Sequence, residues 1–141
     1  MNRTLVIAVS FVLLVSLSGV AVAHPGLGIY KDINRAEADG YVQISPCVPG
    51  MGYHYGKFAE IDGDVNTASP EVLVYAYKDG ELTLVAVEYI ATEEFRLYGK
   101  HAHPFDVIPG TYAIHSWLFL RNPDGLTTDF NPRVDENCNV V

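Results

Sequence analysis

Cysteine is scarce in this chain of 141 residues, and so is positive charge. Only two cysteines are present, and nine lysine and arginine residues face 17 aspartate and glutamate residues, for a formal net charge of −8 at pH 7. Such a surface repels phosphate groups, which argues against nucleic acids and anionic membranes as partners. The acidic residues form no run of like charge, as is typical of a solvated surface.

Several catalytic motifs are missing as well. The sequence has no Gly-x-Ser-x-Gly, no phosphate loop, no dinucleotide fingerprint and no Cys-x-x-Cys. These absences argue against a serine hydrolase, a nucleotide-dependent enzyme and a dithiol redox enzyme. A metal-dependent extracytoplasmic enzyme stays open as one alternative, so the sequence leaves it undecided whether the protein is an enzyme.

A long apolar run occurs only at the N-terminus. Arg3 precedes the apolar stretch from Leu5 to Leu17, and Ala21-Val22-Ala23 has the small-x-small pattern of a cleavage site. This three-part pattern predicts a secretory signal peptide over residues 1–23 and a single β-rich domain over 24–141, secreted, periplasmic or at the cell surface. Residues 4–23 are also long enough for an uncleaved anchor. After cleavage we expect no stable membrane insertion.

The two cysteines, Cys47 and Cys138, follow the predicted leader. An even pair in an exported protein is usually a disulfide. Two lone thiols make a poor zinc site, and no Cys-x-x-Cys favours a redox role. We therefore predict a structural disulfide that joins the start of the domain to its tail.

Apolar residues alternate with a period of two through most of the domain, which is typical of β-strands. We expect strands over residues 41–45, 53–60, 71–90 and 111–121, the third range being a hairpin. A short helix over 32–39 and a helical turn over 92–98 complete the pattern. The predicted fold is mostly β: a single-domain antiparallel sandwich or flattened barrel with a short N-terminal helix.

The clearest element is a hairpin around Asp79-Gly80, a dipeptide that favours a two-residue turn. Its register would pair Tyr75 with Leu84 and Leu73 with Ala86. In that register Glu88 lies on the tyrosine face, opposite Glu71. Both faces of the hairpin are apolar, so we expect both to be covered, by a second sheet and by either the helix or a second copy of the chain.

Five histidines follow the leader, and imidazole is the commonest protein ligand for zinc and copper. His54 and His115 lie within predicted strands, and Glu88 supplies a carboxylate. His101 and His103 form an H-x-H pair in an irregular segment. We predict a zinc or copper site built from His54, Glu88 and His115, with His101 and His103 as further ligands. The alternative is that these are ordinary core and loop histidines.

Two further segments carry groups that could bind a metal ion. Cleavage after Ala23 would make His24 the N-terminal residue, and its α-amine and imidazole could then form a copper brace. Asp62 to Asn66 places oxygens at the first, third and fifth positions of a calcium loop. However, Thr67 stands where that loop needs glycine, and Leu73 where it needs glutamate, which favours a plain turn.

With these residues laid out, the chain resembles a family of short exported prokaryotic proteins of uncharacterised function. The resemblance runs from residue 39 to Cys138 and rests on a series of segments: Gly50-Met51-Gly52-Tyr53-His54-Tyr55, Pro70 to Tyr75, Leu84 to Tyr89, Tyr112 to Trp117, Asn122-Pro123-Asp124-Gly125 and Asn131-Pro132-Arg133-Val134. Members often carry Val-x-Cys directly after Asn-Pro, whereas Asp135-Glu136-Asn137 intervenes here. The resemblance implies export but no mechanism.

These observations favour an exported small β-domain that binds a transition metal through strand histidines. One alternative is a non-catalytic structural or interaction module. In that case the two-sided apolar hairpin and the nine tyrosines would serve an oligomer interface or a groove for a small ligand.

Overall fold

The computed structural model describes residues 26–141. The predicted signal peptide and His24, with its copper brace, lie outside the described residues. The elements in chain order are a 3₁₀ helix Leu27–Lys31, α1 Ile33–Ala38, β1 Val42–Gln43, β2 Tyr53–Gly56, a 3₁₀ helix Phe58–Glu60, β3 Val72–Lys78, β4 Glu81–Ala91, β5 Arg96–Leu97, β6 Lys100–His101, β7 His103–Pro104 and β8 Tyr112–Ser116. The prediction of a mostly β fold with a short N-terminal helix is confirmed.

Six of the strands form one antiparallel sheet in the order β1-β2-β3-β4-β8-β7, while β5 and β6 form a separate two-stranded hairpin. The long strands β3 and β4 lie at the centre, and most of their side chains are buried. At the two edges the sheet ends in strands of only two residues each. Edges this short offer little backbone for pairing with another chain.

Both faces of the sheet are covered, as the two apolar faces of the hairpin predicted, but loops and the C-terminal segment cover one of them in place of the predicted second sheet. One face, here called the tyrosine face, carries Tyr55, Tyr75 and Tyr89 and packs against the N-terminal helical segment and β5. The other face, here called the histidine face, carries His54 and His115. It packs against Trp117, the loop before β2 and the C-terminal segment around the disulfide.

The N-terminal helix forms as its sequence predicts. Asp32 caps α1 by accepting a hydrogen bond from the backbone N–H of Asn34, and Ala36 is fully buried under the tyrosine face. Gly40 follows with φ of +95°, a conformation that ends a helix and that glycine adopts at little cost. Asp32 and Gly40 thus set the two ends of the helix, and the burial of Ala36 holds it against the tyrosine face.

The register of the hairpin matches the predicted one for the residue pairs next to the turn and departs from it further along the strands. Asp79 and Gly80 form the expected turn, and Tyr75 pairs with Leu84 as predicted. A β-bulge at Val85 then shifts the pairing, so that Leu73 lies opposite Val87 rather than Ala86. An extra residue in one strand reverses the facing of every residue after it.

The segment before Gly99 was predicted as a helical turn, and that prediction is wrong. Arg96–Leu97 and Lys100–His101 form a hairpin in which Tyr98 and Gly99 are the two turn residues, with φ of +52° and +78°. Positive φ at both positions is the signature of the tight turn that suits a right-handed strand twist. The strands are too short for the alternation of apolar residues to be read from the sequence.

The predicted disulfide is confirmed: Cys47 and Cys138 are bonded, with their Cα atoms 5.9 Å apart. The tail is held further by backbone hydrogen bonds of 2.8 Å from the N–H of Tyr77 to Cys138 and from the N–H of Val140 back to Tyr77. Within the described part of the chain, no helix has the length and apolar character needed to cross a membrane.

Two glycines with positive φ provide a test of the packing between β2 and β3. At Gly52, φ is +130° and a Cβ atom would lie 2.3 Å from the carbonyl oxygen of Tyr75, whereas a Cβ at Gly80 would meet nothing within 4 Å. We expect Gly52→Ala to cost about 3 kcal/mol or more in urea unfolding, against about 1–2 kcal/mol for Gly80→Ala, which has only the conformational penalty. Equal losses in the two variants would contradict this packing.

Candidate functional site

The β-bulge at Val85 decides where the one buried glutamate of β4 lies. In the predicted register Glu88 faced the tyrosines opposite Glu71, and that placement is wrong. In the structure Glu88 pairs with Val72 of β3 on one side and His115 of β8 on the other. Residues directly paired across strands share a face of the sheet, so Glu88 belongs to the histidine face.

His54, Glu88 and His115 converge on this face. His54 pairs with Val74 on β2 and β3, which places it on the same face as Val72 and Glu88. The centres of the two imidazole rings are 6.3 Å apart. All three side chains are buried, with exposures of 8% for His54, 5% for Glu88 and 1% for His115.

Ser45 fixes the tautomer of His54. The Ser45 hydroxyl donates to the carbonyl oxygen of Pro46 at 2.8 Å, and it accepts the backbone N–H of His54 at 3.1 Å. Since its single hydrogen is used, its 3.1 Å contact with Nδ1 of His54 is one in which the ring donates. With the Ser45 hydrogen directed at Pro46, this contact assigns the ring hydrogen of His54 to Nδ1 and a lone pair to Nε2.

His115 is the most deeply buried of the three and has no polar partner. Neither of its ring nitrogens has a hydrogen bond, and its ring packs at 4.6 Å from that of Trp117. Desolvation, together with nearby His54, Lys100 and His103, lowers the pKa of His115 to about 3, and desolvation lowers the pKa of His54 to about 4. Both imidazoles are therefore neutral at pH 7.

Glu88 has no hydrogen-bond partner for its carboxyl group among residues 26–141 either. Desolvation, with a smaller effect of the negative charge on Asp129, raises the pKa of Glu88 to about 7. A carboxyl group with such a pKa changes its charge near neutrality. Buried polar groups without partners are rare in folded proteins and point to a missing partner.

A cavity of about 270 Å³ opens onto this cluster. Glu88, His54 and Ser45 are its polar members, and the rest of its lining is apolar: Ile44, Val48, Met51, Phe105 and Val107. Val107 is 72% exposed, which marks the side open to solvent. An apolar pocket with a few convergent polar groups of perturbed pKa is the usual form of a small-molecule site.

The other two predicted ligands do not join the cluster. His101 lies exposed in the separate hairpin, paired with Arg96. His103 lies on the short edge strand β7, where its Nε2 is 3.4 Å from Oδ1 of Asp129 and its Nδ1 contacts the carbonyl of Pro104. The H-x-H pair is therefore split between two sheets.

The three clustered side chains are not at coordination distance. Over residues 26–141, no three His, Cys, Asp or Glu side chains are placed to hold a metal ion. Two imidazoles on one tetrahedral ion would have ring centres roughly 5 Å apart, since metal–nitrogen bonds are about 2.1 Å, and the observed separation is 6.3 Å. Binding of zinc or copper at this cluster thus stays a prediction.

The acidic segment once compared with a calcium loop forms turns, as its sequence favours. Asp62 and Asn66 each accept a backbone N–H two residues further along the chain, from Asp64 and Ala68. Glu71, the buried carboxylate beside this segment, accepts the backbone N–H of Ile90 at 2.8 Å. Three of the oxygens in this region are thus already engaged with the backbone.

Sequence reasoning found the three clustered side chains but not the cavity beside them. Ser45, Met51 and Phe105 lie in loops. Because loop sequences show no periodic alternation of apolar residues, the sequence could not predict that these three would lie over β2 and β4. The one available signal was the Ser-Pro-Cys sequence at 45–47, because the predicted disulfide at Cys47, only seven residues before His54, fixes a loop close to that histidine along the chain.

Comparison with known proteins adds no assignment to this geometry. No protein-family model matches the chain, and no curated protein or solved structure is significantly similar to it. The resemblance to short exported proteins stays a prediction.

The neutral buried histidines generate a pH dependence of stability. Between pH 7 and pH 5 the unfolded chain protonates imidazoles near their ordinary pKa of 6.5, while His54 and His115 stay neutral in the folded state. Each ring therefore costs about 2 kcal/mol of stability over this interval. On acidification from pH 7 to pH 5, we expect the free energy of unfolding of His115→Gln to fall by about 2 kcal/mol less than that of the unmutated protein. Urea unfolding at the two pH values measures this difference.

The raised pKa of Glu88 changes stability with pH in the opposite direction, so a variant at Glu88 is the control for the histidine variant. Its pKa is raised from 4.5 to about 7, so its contribution to stability is present below pH 4.5 and is lost as the pH rises to 7. Glu88→Gln removes this contribution and should make the loss on acidification steeper. The same pH dependence in both variants and the unmutated protein would contradict the burial of these groups.

Proposed function

We propose that this protein is an exported binding protein that holds a compact, mainly apolar small molecule in the cavity above β2 and β4. The polar end of the molecule lies against Glu88 and Nε2 of His54. One observation carries the proposal: Glu88, whose carboxyl group has no hydrogen-bond partner among residues 26–141, and His54 lie at the base of an apolar cavity that reaches the surface.

The energetics of the cavity support binding of this kind. A buried polar group without a hydrogen bond costs on the order of 1–3 kcal/mol, and a ligand that provides the missing partner recovers that cost. The apolar walls favour a hydrocarbon body, because water in contact with them is released on binding. The cavity thus matches both ends of an amphipathic small molecule.

The size of the cavity sets the scale of the ligand. A dry cavity of roughly 150 Å³ is enough to bind benzene in another protein. At about 270 Å³, this one has room for a single ring with a short substituent, and not for a peptide or an oligosaccharide.

The disulfide supports the export part of the proposal. Such bonds persist in oxidising compartments and are rare in the cytosol, and Cys47 lies within the loop that lines the cavity. This agrees with the predicted signal peptide, so we place the binding function outside the cytoplasm.

Benzyl alcohol is a suitable probe, because it has one aromatic ring and one hydroxyl group. We expect it to bind with a Kd in the millimolar range, which is about 4 kcal/mol, and to shift the NMR signals of residues that line the cavity. Val48→Phe fills the cavity and should weaken binding at least about tenfold.

Val42→Phe is the matched control for this experiment. It introduces the same side chain on the exposed edge strand β1, away from the cavity, so the affinity should not change. Unsaturable shifts in the unmutated protein, or equal effects of the two phenylalanine variants, would refute binding in this cavity.

A further inference from the structure

We propose that the polar end of the ligand is an ammonium group, so that the protein binds small organic amines with Glu88 and His54 as the residues that hold the head. This rests on the proposed use of the cavity and adds the chemical class of its ligand. The carboxylate of Glu88 pairs with the positive charge of the ammonium group, and Nε2 of His54 accepts one of its N–H groups.

The base of the cavity offers hydrogen-bond acceptors and no free donor from Ser45 or His54. The hydroxyl hydrogen of Ser45 is taken by the carbonyl of Pro46, and the ring hydrogen of His54 by Ser45. Nε2 of His54 is left with a lone pair that only a donor can satisfy. An ammonium group has only donors, so it complements Nε2 of His54 and the carboxyl group of Glu88. A carboxylate ligand has only acceptors and could not form a hydrogen bond with Nε2.

The charges around the cavity favour a cation as well. Glu88 is the only ionisable acid in the lining, and no lysine or arginine lies there. The groups that surround Glu88 are the neutral rings of His54 on β2 and His115 on β8, and the carboxylate of Asp129 in the C-terminal segment. Lys100 and His103 act on His115. When ionised, Glu88 is a buried negative charge without a basic neighbour in the lining, and a positive partner would stabilise it.

The spacing of the two rings is wider than a metal ion between them would give. A tetrahedral metal ion would draw the ring centres to roughly 5 Å, and they lie 6.3 Å apart. His115 does not line the cavity, so the ammonium head is held by Glu88 and His54 alone.

Three probes of one size test the ligand class: benzylamine, benzyl alcohol and benzoate, titrated by NMR at pH 8, above the pKa of about 7 for Glu88. We expect benzylamine to bind at least about tenfold more tightly than benzyl alcohol, and benzoate to bind most weakly. The advantage of benzylamine should shrink with added salt, whereas binding of the uncharged alcohol should not.

Glu88→Gln should abolish the advantage of benzylamine and leave the affinity for benzyl alcohol within about threefold. Glu81→Gln removes the same charge from an exposed position at the hairpin turn, and in this control the advantage should persist. The three-probe comparison on the unmutated protein decides the ligand class even if Glu88→Gln is poorly soluble.

The outcomes separate this inference from the proposed function. If benzyl alcohol binds as tightly as benzylamine, or benzoate binds best, the amine is refuted and the cavity still binds ligands. If none of the three probes binds, both proposals fall. If zinc binds and its binding is lost in both His54→Gln and His115→Gln, while benzylamine does not bind, the cluster is a metal site and the amine is refuted.

Discussion

A single extra residue in β4 governs the chemistry of this protein. The bulge at Val85 turns the second half of the strand over, so that Glu88 leaves the tyrosine face and lies beside His115. Without the bulge, the carboxyl group would face Glu71 among aromatic side chains, and the two histidines would face an apolar surface. The burial of Glu88, its raised pKa and the polar base of the cavity all depend on this irregularity.

The buried polar groups on the two faces of the sheet differ in their hydrogen bonding. On the tyrosine face the hydroxyl of Tyr41 donates to the carbonyl of Pro70 and that of Tyr75 to the carbonyl of Tyr30, each at 2.6 Å. On the histidine face both nitrogens of His115 are unpartnered. Ser116, which faces the other way on β8, also lacks a partner. Two of the three fully buried polar atoms without a partner among residues 26–141 thus belong to His115, beside Glu88 and His54, and such atoms are rare in folded proteins.

The sequence predicted those parts of the fold that rest on local periodicity. Asp79-Gly80 specified the turn and the first pairs of the central hairpin, and Asp32 and Gly40 specified the limits of α1. The bulge at Val85 could not be foreseen, because every residue from Leu82 to Val87 except Thr83 is apolar and the alternation that would reveal a shift is absent. His54 and His115 were named from their strand positions, but the separation of His101 from His103 and the role of Ser45 depend on loops and on contacts between distant segments.

The loop from Ile44 to Met51 forms one wall of the cavity, and it is tied to the tail at two places. The disulfide binds it at Cys47, and the carbonyl of Gly50 accepts the N–H of Asn131 at 2.9 Å. In a reducing environment the covalent tie is open and this wall keeps only its weaker contacts. The shape of the pocket therefore depends on the oxidation state of Cys47 and Cys138, because closing their bond fixes this wall against the C-terminal segment.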